Sequence, residues 1–267
     1  MKKISFTVSI IMILGLINMQ NSFSNERKFT YIYQSDVLGK GFKELEITTT
    51  PMIGKNYGYY AELDNRMEFE VGVSKRLQTA FYINFSNITT DNGTGVNETH
   101  FNFNGISSEW KYQFFNPYID AIGFAGYTEM GLNTDEVELE TKLIFDKRIK
   151  NTILALNITY EPEWYLTPGQ SETEHNFEGT FGVSYAFSPS LSAGIELRNH
   201  NIYTKENGWE SSAFFAGPNI SYSQPKWWVT LTVLPQIAAF KGKSPGSNLS
   251  LHDYTQFETR VIFSFHI

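Results

Sequence analysis

The chain contains no cysteine. That excludes a disulfide framework, thiolate metal sites and a lipid-modified N-terminal cysteine. Beyond its first residues it lacks any apolar run of the ~20 residues that a helix needs to cross a bilayer. It is also short of positive charge, with 21 Lys and Arg against 28 Asp and Glu and a formal charge of −7. Such a chain has no electrostatic basis for gripping a phosphate backbone, so nucleic acid is not an expected partner. The five histidines show no metal-ligand spacing, and no metal or cofactor is expected.

Two features fill the space these absences leave. The first is a leader. Met1, Lys2 and Lys3 form a short basic start, residues 4–17 an apolar stretch, and Ser22 and Ser24 the small residues of a cleavage site. Residues 1–24 therefore read as a signal peptide cut after Ser24, which exports a chain made more acidic by the loss of Lys2 and Lys3.

The second is alternation. In the closing stretch 257–267, Phe257, Val261, Phe263, Phe265 and Ile267 interleave with Glu258, Arg260, Ser264 and His266. Period two means a strand with one apolar and one polar face. Eleven further segments carry the same pattern: 43–50, 65–74, 77–86, 107–115, 121–130, 136–145, 153–164, 175–187, 191–200, 212–222 and 226–239. Tight turns such as 74–76, 188–189 and 224–225 alternate with longer polar stretches at 51–64, 87–104, 167–174, 201–208 and 241–252. Lipid cannot satisfy free backbone groups, so a membrane chain without apolar helices must close into a barrel. Short periplasmic turns opposite longer outside loops are the expected rhythm of such a barrel. The expected fold is all-β, a transmembrane antiparallel up-and-down barrel of about twelve strands over residues 41–267. Residues 25–40, where Phe29, Tyr31 and Tyr33 alternate with Thr30, Ile32 and Gln34, stay open between a strand and a lumenal or periplasmic segment.

Several stretches resemble a family of uncharacterised, porin-like bacterial outer-membrane barrel proteins. They are residues 41–51 (GFKELEITTTP), residues 66–85 (RMEFEVGVSKRLQTAFYINF), and residues 136–164 with their EVELETKLIF and EPEWY runs. The closing stretch is similar to the C-terminal assembly signal of outer-membrane proteins, with Ile267 where that signal usually has Phe. The resemblance implies a Gram-negative outer-membrane location, outer-membrane lipid around the wall and recognition of residues 257–267 by the barrel assembly machinery. It carries no catalytic residues.

Chemistry follows from the inward phase. Alternation turns Glu46, Glu68, Glu70, Glu109, Glu138, Glu140, Glu161, Glu163, Glu178, Glu196 and Glu258 into the barrel, against Arg66, Lys111, Lys142, Arg198 and Arg260. Eleven carboxylates facing five bases predict a narrow porin-like channel that prefers small cationic solutes. Glu178 and Arg198 are expected to meet across the turn at 188–189. The alternative is a non-conducting structural or adhesive barrel with binding loops. A membrane-embedded hydrolase is a third reading. It needs a Ser beside a rim His, and the outward neighbours of His175 (Tyr160, Pro162, Trp164, Leu197, Asn199 and Asn201) include none.

Overall fold

Twelve antiparallel strands close on themselves in chain order. They are β1 (Lys43–Ile53), β2 (Tyr60–Gly72), β3 (Leu77–Asp91), β4 (Asn97–Phe115), β5 (Gly123–Leu132), β6 (Glu136–Ile149), β7 (Thr152–Tyr165), β8 (Thr173–Ala186), β9 (Leu191–Thr204), β10 (Gly208–Gln224), β11 (Trp227–Lys241) and β12 (Phe257–His266). Each pairs with its chain neighbours, and β12 closes the wall against β1, with Leu45 opposite Phe265 and Ile47 opposite Phe263. The computed structural model describes residues 26–267 except 57, 92, 94 and 167–172. The expected signal peptide and its cleavage point lie outside the described residues.

The alternation fixes the phase of every strand. Leu45, Ile47, Met67, Phe69, Phe81, Ile83, Leu143 and Ile158 stand on the outer surface, more than a third exposed. In water such a belt would be an aggregation surface; in lipid it is the solvated face. Rings gather at its ends. On the short-turn side Phe114, Phe124 and Phe145 stack at centroid distances of 5.1 and 4.9 Å. Trp227 stacks on Phe263 at 5.6 Å on the same side. Tyr160, His175 and Tyr203 cluster near the opposite rim.

The strands run further than the polar composition of their ends suggests. Stretches read as loops at 51–64 and 87–104 are largely strand, leaving connections of 54–59 and 92–96. A bilayer needs only ~10 residues per strand, so the longer ones project beyond it. In β4, residues 97–103 are exposed on both faces and pair with the end of β3, where the Thr89 and Thr99 hydroxyls lie 2.9 Å apart. Polar residues suit this stretch because water bathes both of its sides.

Residues 26–40 form no strand and pair with no edge. They run inside the barrel, where Phe29, Thr30, Ile32 and Ser35 are fully buried and Leu38 nearly so.

Candidate functional site

The internal segment enters at the short-turn end, beside the start of β1. There the Gly41 amide donates to Gly72 O at 2.8 Å and the Gly72 amide to Phe42 O at 3.0 Å. A Cβ on Gly72 would stand 2.0 Å from the Gly39 carbonyl, so only glycine admits the chain this closely.

A buried backbone without a partner strand must find its hydrogen bonds elsewhere. Here the wall side chains supply them. The Leu38 amide donates to Gln78 Oε1 (2.8 Å) and the Ser35 amide to Asp146 Oδ1 (3.1 Å). Gln113 Nε2 donates to Ser35 O (3.1 Å). The Tyr33 amide donates to Asn157 Oδ1 (2.7 Å), and Asn157 Nδ2 donates back to Tyr33 O (3.0 Å). Glu196 accepts the consecutive amides of Thr30 (2.8 Å) and Tyr31 (2.9 Å), and also the Thr232 hydroxyl. The Ser221 and Thr230 hydroxyls donate to Arg27 O at 3.2 and 2.6 Å. The segment thus sweeps along the inner wall from β3 through β6, β7 and β9 to β10 and β11.

Apolar contacts fill the gaps. Phe29 and Ile32 pack on Ile153 and Ala155; Tyr33 packs on Ala125, Tyr127 and Ile144; Tyr31 packs on Ala213, Phe215, Leu234 and Tyr254. Gly182 makes room for the first pair: a Cβ there would lie 2.6 Å from both Phe29 and Ile32.

Above this plug lies a cavity of about 280 Å³, with Arg27, Thr30, Tyr31 and Tyr33 as its floor. Cations sit on the floor's two rings. The Arg260 guanidinium is 3.9 Å and that of Arg198 5.1 Å from the Tyr31 centroid. Arg27 is 4.0 Å and Lys142 Nζ 4.6 Å from the Tyr33 centroid. Lys111 Nζ approaches the Tyr33 centroid as well, at 5.6 Å; ring faces are electron-rich, so each tyrosine helps to hold two or more cations close together.

The sixteen charged residues expected in the lumen fall into three groups. Arg66, Glu68, Glu138, Glu140, Lys142, Glu161, Glu178, Arg198 and Arg260 line the cavity. Glu163 lies beside them, accepting from Asn176 Nδ2 at 2.8 Å. Glu196 and Glu258 hold the plug, Glu258 through the Tyr31 hydroxyl at 2.9 Å. Glu46, Glu70, Glu109 and Lys111 face packed protein instead of open lumen, each no more than 2% exposed. Glu178 and Arg198 do meet, at 2.5 Å, and Glu258 reaches the same guanidinium at 2.9 Å. Glu140 pairs with Lys142.

The strong acidic excess therefore does not describe the cavity. Its carboxylates Asp64, Glu68, Glu138, Glu140, Glu161 and Glu178 are nearly balanced by Arg27, Arg66, Lys142, Arg198 and Arg260. The inward tally omitted Arg27, because the segment that carries it had no assigned place. It also omitted Glu129, which takes Arg66 at 3.2 Å and the Ser107 hydroxyl at 2.5 Å. Its strand, with Gly123, Gly126 and Gly131, alternates too weakly to announce a phase. Asn157, amid Leu156 and Ile158, was a legible signal of an inward amide, but not of what it binds.

A closed barrel with an apolar outer belt, aromatic ends and a charged interior defines an integral outer-membrane β-barrel protein. The chain belongs to a family of unknown function, DUF6662, whose model matches residues 21–267. No characterised protein matches it in sequence. Among solved structures it is similar to an outer membrane channel from Pseudomonas putida F1, with a TM-score of 0.61 at 9% identity over 86% of this chain and 97% of that one. It is similar to the NanC porin, with a TM-score of 0.54 at 11% identity over 84% and 100%. The β domain of the Bordetella autotransporter BrkA also gives 0.54, at 7% identity over 85% and 100%. At these identities the likeness is one of fold, and it extends to barrels of different function.

Proposed function

We propose that the protein is an outer-membrane channel closed at rest by residues 26–40, and that the passage prefers small cations once the segment moves. The observation that carries this reading is how the plug is held. Its backbone is bonded to separate wall side chains, Gln78, Asp146, Asn157 and Glu196, and not by a strand ladder. Such contacts can release without opening the barrel wall. Outside the plug, the mouth of the cavity offers balanced charge. Behind it stand Glu44, Glu46, Glu70, Glu109 and Glu196, which would face water in an unplugged lumen and raise the local concentration of cations. The barrel assembly machinery would read β12 as the closing strand.

Planar-bilayer recording of the refolded full-length chain and of a variant lacking residues 27–38 tests the reading. The full chain should show small, infrequent openings, and the deletion a larger, steady, cation-selective conductance. A deletion variant that folds as a heat-modifiable barrel yet stays silent would favour a structural barrel. A wild-type pore already as large as the deletion's would remove the plug's role.

A further inference from the structure

The structure assigns a binding site for a hard divalent cation, calcium in type, to Glu44, Glu46 and Glu70 on β1 and β2, at the short-turn end of the lumen. It is independent of whether the barrel conducts.

The argument begins with register. Glu44 stands directly opposite Glu70, and Glu46 directly opposite Glu68. Like charges in direct cross-strand pairs destabilise a sheet, and here two such pairs follow each other on one face. Glu109 joins them from β4. None of the five side chains is more than 3% exposed, so water does little for them. The bases within reach are His266, with Nδ1 2.9 Å from Glu44 Oε1, together with Lys111 beside Glu70 and Arg27 beside Glu46. Three bases facing five carboxylates leave an excess of buried negative charge, which must be neutralised.

Geometry then selects an ion. One carboxylate oxygen from each of Glu44, Glu46 and Glu70 lies within 4.8 Å of the other two. Oxygens at 2.3–2.6 Å from a calcium ion are at most about 5.2 Å apart, so the three can share one ion. The lone pairs are free to do so: neither oxygen of Glu46 has a hydrogen-bond partner, nor does Oε2 of Glu70. Glu44 is oriented for the role, since its Oε2 accepts the Ser264 hydroxyl at 3.0 Å and Trp228 Nε1 at 3.4 Å. Outer partners that fix a ligand's direction are the usual companions of a metal site. Oxygen-only ligands select a hard cation over zinc or copper. Gln78 ties the site to the plug: its Nε2 donates to Glu70 (3.1 Å) and Glu109 (3.2 Å), while its Oε1 holds the Leu38 amide.

Trp228 supplies the probe. Full-length protein is refolded in detergent, stripped with chelator and titrated with terbium under tryptophan excitation. Saturable emission at one ion per chain, displaced by calcium, is expected. Glu46→Gln should weaken terbium and calcium at least about tenfold, as loss of a ligand or its support does. Glu98→Gln, on the projecting end of β4, should change nothing. Trp228→Phe should lose most of the emission, while calorimetry still shows calcium heat at a weakened affinity, because Glu44 keeps Ser264 as its remaining orienting partner. An absence of saturable binding in the wild type, with a melting temperature indifferent to chelator, would overturn the site and leave protons as the neutralising species. So would a folded Glu46→Gln that binds like the wild type. If Glu46→Gln does not fold, calorimetry on the chelator-stripped wild type decides: an absence of calcium heat refutes the site.

Discussion

Asn157 and Tyr33 exchange two hydrogen bonds, the side-chain amide of one serving both backbone groups of the other at 2.7 and 3.0 Å. A single wall residue thereby imitates one rung of a β-ladder for a segment that has no neighbouring strand. Asn157→Leu leaves both groups of Tyr33 buried without a partner. At roughly 1 kcal/mol or more for each bond, the plug's release should become at least about tenfold easier. The readout is channel open time, alongside the rate at which trypsin cuts after Arg27 or Lys28 in reconstituted vesicles.

Glu196 should matter more, because its carboxylate takes two consecutive amides and a hydroxyl. Glu196→Gln turns one acceptor into a donor facing an N–H, whereas Glu196→Ala removes all three bonds. The order of open probability should be Ala above Gln above wild type. An Ala variant indistinguishable from wild type would mean that apolar packing alone retains the plug.

Gly182 offers a steric route to the same state. Leucine there would collide with Phe29 and Ile32, whose atoms lie 2.6 Å from the position of its Cβ. On the wall side the strand continues unbroken between its partners. Gly182→Leu should leave the barrel heat-modifiable while raising conductance toward that of the deletion.

Arg198 serves Glu178 and Glu258 together, so the two ends of its ion pair are not equivalent. Arg198→Met strands two carboxylates near each other, while Glu178→Gln leaves Arg198 with Glu258. The first should cost about 3 kcal/mol and the second about 1 kcal/mol or less, since the adjoining cavity admits water. Urea unfolding from lipid vesicles measures both, and equal losses would show that the pair acts independently of Glu258.

Selectivity should follow the carboxylates at the cavity wall as well as those behind the plug. In the plug-deleted channel, Glu140→Lys with Glu161→Lys should move the reversal potential under a potassium chloride gradient toward anions. The wild-type preference should fade as salt shortens the reach of each charge. An anion-selective deletion channel would contradict the charge argument.

What could be read directly from the residues is what each strand carries on its own. Phe263 and Phe265 alternate with Ser264 and His266 whatever the rest of the chain does, so strand phase, the apolar belt and the inward set were legible. So was the Glu178–Arg198 contact, because a tight turn converts nearby positions into cross-strand neighbours. The plug was not. Leu38 meets Gln78 at a separation of 40 residues, Tyr33 meets Asn157 at 124 and Thr30 meets Glu196 at 166. None of these partners stands in a local pattern with the other. Strand phase says that Glu70 and Glu109 point inward, yet what fills the inside is decided by a segment from elsewhere in the chain. By itself the sequence determined which way each side chain faces, because period two is written within every strand. Which of them meet water, which hold the plug and which crowd together as buried carboxylates was decided only when the closed wall brought distant residues around one threaded segment.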